Sequence, residues 1–376
     1  MAIPHAIYEQ TLARFFAPVR PFLDDPTVTE IMINGPDRIY VERRGRIESV
    51  DACFASTEAL AAAVRNLAQY VGRHIGPDRP ILEGRMPDGS RVEAVLPPAS
   101  PDGPSVSIRR FSLTPLTLER LLELGSFTPD LSAALAALVA CKQNIVIAGG
   151  TASGKTSLLN AVSSLVAGDE RVVVIEDARE LQLQLPHVVQ MEAQPPDERG
   201  AGAVSIRDLF RATLRMRPDR IIVGEIRGGE ALDLVQAMTS GHGGCLTTVH
   251  ATHQLDTVNR LETMALMSDV ELPLYALRSQ VASAINLILQ CARLADGSRC
   301  VTGLTEVLGY EQNGGYQFRP LFRREFLARD GDGTIRSRLV ATGELPGCVE
   351  MIRAMGLELP DAMYHPQEAE EVDDEG

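Results

Sequence analysis

The sequence of 376 residues contains no tryptophan, and only 5% of its residues are aromatic. Its formal net charge is −14 at pH 7, and the terminal run QEAEEVDDEG supplies six of the negative charges. Motors that track a nucleic-acid strand need a basic groove in which bases stack on aromatic side chains. The composition therefore argues against a specific nucleic-acid partner, although it leaves room for a local basic face.

Long apolar runs are also missing. The longest, LSAALAALVA from Leu131, is shorter than the about 20 residues that a membrane-spanning helix needs. The N-terminus has no signal-peptide pattern, and the cysteines show no paired metal-ligand spacing. We therefore expect a protein of the reducing cytoplasm that reaches a membrane only by peripheral docking. The cysteines are Cys53, Cys141, Cys245, Cys291, Cys300 and Cys348.

A glycine-rich loop stands between a β-branched run and an apolar helical pattern in VIAGGTASGKTSLLNAV. It fits G-x-x-x-x-G-K-[ST], whose backbone N–H groups and helix N-terminus bind nucleotide phosphates. Lys155 would reach the terminal phosphates of ATP, and the Thr156 hydroxyl would hold Mg²⁺. The alternative is a simple strand-to-helix turn with an exposed lysine. The residues expected around the nucleotide are Gly149, Gly150, Thr151, Ala152, Ser153, Gly154, Lys155, Thr156 and Ser157.

Two acidic side chains follow the apolar strand pattern of RVVVIEDAREL. Glu176 and Asp177 would emerge at the carboxyl edge of a parallel sheet, where ligands bind. One of them is suited to orient or deprotonate the attacking water, and the other to reach the Mg²⁺ shell. For Asp177 the alternative is a helix cap.

A second carboxylate ends an apolar strand in RMRPDRIIVGEIRGGEA. Glu225 would contact Mg²⁺ through water, because an unpaired carboxylate in that position is costly. Arg215 and Arg227 are candidates for stabilising phosphate charge across a subunit boundary. Surface ion pairs are the alternative for both arginines.

Histidines flank the next strand in TSGHGGCLTTVHATH. No cysteine or carboxylate stands at zinc-ligand spacing, so we interpret His242 and His250 as hydrogen-bonding sensors of the terminal phosphate. For His250 the alternative is a core histidine with satisfied hydrogen bonds. Earlier in the chain, SVSIRRF carries Arg109 and Arg110, which must point to opposite faces of a strand, and a solvated strand edge is the alternative there.

The order of elements predicts an α/β protein with a smaller α+β domain in front of a mostly parallel, doubly wound sheet. Two Thr-Pro breakers mark the connection between the domains. The acidic C-terminal run is expected to be disordered. The predicted ranges are residues 1–112 for the N-terminal domain, 113–128 for a hinge linker, 129–300 for the nucleotide-binding domain, 301–363 for a small C-terminal appendage and 364–376 for the tail.

Together the motifs resemble the secretion ATPase superfamily, which powers type II and type IV secretion and type IV pilus machines. The resemblance rests on GGTASGKT, VIEDARELQL, LRMRPDRIIVGEIRGGEA and TSGHGGCLTTVHA, and it covers about residues 25 to 320. The N-terminal run DPTVTEIMINGPDRIYVERRGRIE is most similar to the Tad (tight adherence) pilus ATPases. These are related to the ATPases of type IV secretion and conjugation, which are the alternative assignment.

The resemblance implies a RecA-like ATPase domain and a homohexamer at the cytoplasmic face of the bacterial inner membrane. Its partners would be inner-membrane pilus platform or secretion-channel proteins, and the cofactors ATP and Mg²⁺. It makes Gly149 to Thr156 the Walker A loop, Glu225 the Walker B carboxylate, Glu176 the catalytic glutamate and His242 with His250 the histidine box. It also directs Arg109 and Arg110 to the nucleotide phosphates. The four-cysteine zinc module of related pilus motors is missing.

Two other classes fit the phosphate loop. A RecA-like nucleic-acid motor shares it but needs the basic, aromatic groove that the composition disfavours. A non-catalytic, ATP-gated scaffold would have no need of Glu176, Glu225 or the histidines.

Overall fold

The computed structural model describes residues 11–43, 45–110, 116–196 and 200–366. The chain divides into two compact units, Met1–Thr114 with Pro196–Gly202 and Pro115–Pro195 with Ala203–Gly376. None of the helices in the described ranges is long and apolar enough to cross a membrane.

The first unit is built on an antiparallel six-stranded sheet in the order β3-β2-β1-β6-β5-β4. The strands alternate buried and exposed residues, as expected for a sheet with one face on the core. Its elements are a 3₁₀ turn (Ala17–Val19), α1 (Arg20–Asp24), β1 (Val28–Asn34), β2 (Ile39–Arg43), β3 (Arg46–Ser49), α2 (Thr57–Tyr70), β4 (Ile81–Arg85), β5 (Arg91–Val95) and β6 (Ser105–Arg109).

Helix α2 supplies much of the core of this unit. The Ser56 hydroxyl caps it by accepting the Ala59 N–H at 3.2 Å. Its apolar residues recur at helical spacing, so Leu60, Val64 and Leu67 are all buried in one cluster with the sheet residues.

The second unit is built on a nine-stranded sheet in the order β15-β14-β13-β12-β7-β11-β10-β8-β9, parallel from β12 to β9. Its strands are β7 (Ile145–Gly149), β8 (Val172–Glu176), β9 (Val188–Glu192), β10 (Arg220–Val223), β11 (Leu246–His250), β12 (Leu287–Arg293), β13 (Arg299–Glu311), β14 (Gly315–Arg329) and β15 (Ile335–Ala341). Its helices are α3 (Leu118–Glu123), α4 (Pro129–Ala140), α5 (Lys155–Ser163), α6 (Ile206–Thr213), α7 (Glu230–Thr239), α8 (Gln254–Leu266), α9 (Leu274–Ala284), α10 (Val349–Ala354) and α11 (Asp361–Tyr364).

Both faces of the parallel sheet are covered. Ile145 and Ile147 of β7 pack in one cluster with α4 and α5, whereas Val146 and Ala148 pack in a second cluster with α7, α8 and α9. Alternate residues of one strand thus enter opposite cores, which explains why this strand reads as a continuous apolar run. The predicted α/β, doubly wound architecture is confirmed.

The C-terminal residues differ from the expectation of a separate appendage beginning at residue 301. Strand β13 starts at Arg299, pairs antiparallel with β12 and continues into β14 and β15. The predicted boundary therefore falls inside a strand, because residues 299–341 extend the same sheet. Residues 113–115 of the expected hinge and residues 367–376 of the expected tail lie outside the described ranges.

Candidate functional site

The phosphate loop joins β7 to α5 at the carboxyl edge of the parallel strands. Ala152 and Gly154 have φ angles of +58° and +91°, in the left-handed region. A Cβ on Gly149 would lie 2.4 Å from the Ser153 Oγ and 2.7 Å from the Cys291 carbonyl oxygen. The first glycine of the motif is therefore a steric requirement of the loop.

Lys155 is the first residue of α5, and it is only 7% exposed. Its Nζ donates to the Gly150 carbonyl at 3.0 Å, and the Ser153 hydroxyl donates to the same oxygen at 2.8 Å. The ammonium group is thus held over the loop at the positive end of a helix dipole, the arrangement that binds phosphate. The burial of Lys155 does not match the alternative interpretation, a simple strand-to-helix turn with an exposed lysine.

His250 connects this lysine to Glu225. The Lys155 Nζ lies 3.1 Å from His250 Nδ1, and the other ring nitrogen, Nε2, lies 2.8 Å from Glu225 Oε1. The contact forms because β10 and β11 are adjacent parallel strands whose carboxyl ends carry these side chains. Partial burial, followed by the nearby Lys155 ammonium, lowers the pKa of His250 and favours its neutral form.

Arg227 closes the site with two ion pairs. Its guanidinium donates to Glu225 Oε2 at 2.5 and 2.8 Å and to Asp177 Oδ2 at 2.8 Å. Within the chain, Arg227 therefore neutralises carboxylates, as in the ion-pair alternative. Asp177 caps no helix, since the described residues 178–187 contain none.

Glu176 ends β8, and it is only 3% exposed. Its Oε1 accepts the N–H groups of Glu180 and Leu181 at 2.9 and 3.0 Å. Burial outweighs these hydrogen bonds and raises the pKa of Glu176 to about 7. A carboxylate with a pKa near neutrality is well matched to proton transfer.

Comparison with known proteins settles the family. Residues 13–320 match the model of the type II/IV secretion system protein family. The chain belongs to this family. A putative conjugal transfer protein of Mycobacterium tuberculosis strain H37Rv is 34% identical over 75% of this chain and 81% of its own length. The type IV secretion system protein VirB11 of Brucella suis is 35% identical over 67% of this chain and 76% of its own.

The fold comparison agrees with the family. The ATPase DotB of Legionella pneumophila has a TM-score of 0.54 and 20% identity over 81% of this chain and 82% of its own, a likeness of fold alone. With the phosphate loop, the family membership identifies the chain as a secretion ATPase. The curated relatives named here support the type IV secretion and conjugation alternative better than the Tad pilus interpretation.

Two residues predicted for the site lie at the opposite edge of the ATPase sheet. His242 precedes β11, whereas His250 ends it, so a whole strand separates the two histidines. Arg215 is exposed in the turn before β10, at the same amino edge. Their spacing in the sequence predicts that His242 and Arg215 lie at the site. Because each precedes its strand, the strand direction places them at the amino edge, away from the phosphate loop of the same chain.

Arg109 and Arg110 belong to the first unit. Arg109 ends β6 and is exposed. The Arg110 guanidinium donates to the carbonyl of Asp25 and, at 3.4 Å, to that of Val28. Arg110 thus anchors the segment that leads into β1.

Sequence reasoning missed two residues that touch the phosphate loop. The Cys291 thiol lies 3.4 Å from the Ser153 hydroxyl, beneath the loop. Arg299 Nε donates to the Ala152 carbonyl at 2.8 Å. Neither belongs to a recognisable motif, because β12 and β13 reach the loop only through sheet pairing.

Proposed function

We propose that this secretion ATPase hydrolyses ATP to drive a type IV secretion or conjugation machine. The observation that carries the proposal is the connection from Lys155 through His250 to Glu225, which joins the phosphate-binding group to an acidic residue. The choice of machine is supported by the named relatives, which are a conjugal transfer protein and a type IV secretion system protein.

The loop residues Gly149 to Ser157 would bind the phosphates of ATP. Mg²⁺ would be held by the Thr156 hydroxyl directly and by Glu225 through water, and it would offset phosphate charge. The oxygen donors fit this ion. Among the described residues no three carboxylate, histidine or cysteine side chains form a ready metal site. Mg²⁺ usually takes one or two protein groups together with phosphate and water.

Glu176 is the proposed general base for the attacking water, because its raised pKa suits proton acceptance near neutral pH. His250 is the proposed sensor. When a terminal phosphate competes for the Lys155 ammonium, the hydrogen bond to His250 Nδ1 is free to change, and the change reaches Glu225 through the ring.

The assembly would be a homohexamer at the cytoplasmic face of the inner membrane, docked on channel or platform proteins. In a head-to-tail ring each protomer can bias the state of its neighbour. Arg215 is a proposed phosphate ligand across that boundary. Of the two adjacent arginines of the first unit, the exposed Arg109 remains a proposed phosphate ligand, whereas the Arg110 guanidinium is held by backbone carbonyls.

A Tad pilus motor is the second candidate. It is favoured by the N-terminal run from Asp25 to Glu48, which resembles the Tad pilus ATPases. The catalytic argument is the same for both machines, so only partners distinguish them.

The deciding experiment is a pull-down of the Glu225→Gln protein, loaded with ATP, from native membranes, with mass spectrometry of the captured proteins. Secretion-channel or coupling proteins are expected. A pilus platform protein with prepilins would replace the proposal by the Tad assignment. The matched control is Lys155→Ala, which should not retain ATP and should lose the nucleotide-dependent partners. ATPase activity stimulated by DNA, and not by lipid or partners, would contradict both candidates.

A further inference from the structure

One side chain outside the predicted motifs contacts the tip of the phosphate loop. Arg299 is the first residue of β13, and its Nε donates to the Ala152 carbonyl at 2.8 Å. Its aliphatic stem runs beside the loop, since a Cβ built on Gly154 would lie 3.6 Å from Arg299 Cδ. The sheet extension thus reaches the nucleotide site through this residue.

The bonded carbonyl belongs to a residue in an unfavourable conformation. Ala152 has a φ of +58°, which is costly for a residue with a Cβ. In the trans peptide that follows, the C=O and N–H point in opposite directions. Holding the Ala152 carbonyl toward Arg299 therefore fixes the Ser153 N–H toward the interior of the loop, where it lies 3.4 Å from the Gly150 carbonyl.

The backbone of Arg299 is held by the segment that follows α3. The Ser126 hydroxyl donates to the Arg299 carbonyl at 2.5 Å, and the Val301 N–H donates to the Ser126 carbonyl at 3.0 Å. Ser126 is buried, between α3 and α4. Arg299 thus contacts the phosphate loop with its side chain and the segment leading into α4 with its main chain.

We propose that Arg299 is a positioning residue for ATP binding, which fixes the tip of the phosphate loop and couples it to the segment around Ser126. The proposal rests on the chain being an ATPase and is independent of the machine that it serves. In consequence, a displacement of the Ser126 segment changes the affinity for ATP through Arg299.

The test compares Arg299→Met with Arg299→Lys in the full chain. Methionine keeps an unbranched stem but has no donor, whereas the lysine ammonium can reach the same carbonyl. We expect Arg299→Met to raise the Kd for a fluorescent ATP analogue and the KM for ATP about fivefold, the effect of one partly exposed charge-assisted hydrogen bond. Arg299→Lys should stay within about twofold of the wild type, and kcat should change less than about twofold in both.

The matched control is Arg336→Met. Arg336 is also exposed on the sheet extension, but its Nε bonds Asp330 at 2.8 Å, in the β14–β15 turn. It should leave Kd and KM unchanged. The positioning role would be overturned if both methionine variants lost ATP affinity equally, or if the Kd of Arg299→Met were unchanged. It would also be overturned if Arg299→Met lowered the melting temperature of the nucleotide-free protein and Arg299→Lys did not restore it.

Ser126→Ala tests the coupling. We expect the Kd for the analogue to rise about twofold to threefold in this variant. The double variant should show only the about fivefold rise of Arg299→Met alone, because the two changes act through one connection. Additive effects would overturn the coupling. A wild-type protein that bound no ATP would instead refute the ATPase assignment, so the two failures are distinguishable.

Discussion

The Nε2 atom of His250 lies 2.8 Å from the Oε1 atom of Glu225. The other ring nitrogen faces the Lys155 ammonium at 3.1 Å. Because an ammonium group can only donate, Nδ1 accepts and the ring proton is on Nε2, the nitrogen that lies beside the Glu225 carboxylate. A single neutral ring therefore contacts both the Lys155 ammonium, the proposed phosphate ligand, and Glu225, the proposed Walker B carboxylate.

Replacing His250 by alanine should separate binding from turnover. The Lys155 ammonium would keep its bond to Gly150 and its place at the loop, so the Kd for ATP should change less than about threefold. Without the link to Glu225, kcat should fall roughly 10- to 100-fold. Steady-state kinetics with a direct binding assay checks this. His253→Ala, an exposed residue three positions on, is the control, and equal losses in both variants would contradict the proposed role.

Glu225→Gln should retain ATP and lose turnover. The amide keeps the volume of the carboxylate but removes its charge and its basicity, so we expect kcat to fall at least about 100-fold with a Kd within about threefold of the wild type. The exposed Glu271→Gln is the control for a loss of one negative charge. Turnover within tenfold of the wild type would remove Glu225 from the proposed mechanism.

The pH dependence of turnover should report Glu176. A general base must be ionised, and the pKa of Glu176 is raised to about 7 by burial. The kcat should therefore rise as the pH increases through about 7 and level off above it. Glu176→Gln should give a low rate without this rise. A wild-type profile that is flat between about pH 6 and 8 would contradict the assignment.

The same residue should make stability depend on pH. Since its folded pKa is raised from 4.5 to about 7, the neutral form stabilises the fold below about pH 4.5, and this contribution is lost as the pH rises through about 7. Glutamine stays neutral and keeps a carbonyl oxygen for the two backbone donors. The free energy of unfolding of Glu176→Gln should therefore rise relative to that of the wild type as the pH increases. The difference between the two proteins should grow on the order of 1–3 kcal/mol from about pH 5 to about pH 8. Urea unfolding at the two pH values measures it, and an equal difference at both would contradict the prediction.

Adjacent glycines of the phosphate loop should respond differently to alanine. In Gly149→Ala the new Cβ would meet the Ser153 Oγ at 2.4 Å and the Cys291 carbonyl oxygen at 2.7 Å, so the free energy of unfolding should fall by about 1–3 kcal/mol. In Gly150→Ala the Cβ has no neighbour within 4 Å, and the change should be within about 0.5 kcal/mol. Thermal and urea unfolding of the two variants without nucleotide checks this. Equal losses of unfolding free energy in Gly149→Ala and Gly150→Ala would contradict the role of the close contacts.

Much of the ATPase sheet could be predicted, because buried parallel strands have near-continuous apolar runs and their carboxyl ends carry the polar residues. The positions of Glu225 just after β10 and of His250 at the end of β11 are predicted in this way. The membership of β13 to β15 in the same sheet is not predictable, since antiparallel hairpins with alternating residues do not reveal which sheet they join.

The sequence alone determined the phosphate loop, the family and the strand-end residues, because these depend on local spacing and on the chemistry of single side chains. Only the tertiary structure decided which of the distant residues meet. It placed His242 and Arg215 at the amino edge of the sheet, brought Arg299 onto the phosphate loop, and joined Lys155 to Glu225 through His250. The physical reason is that strand pairing and strand direction bring together side chains far apart in the chain, and local propensity does not encode them.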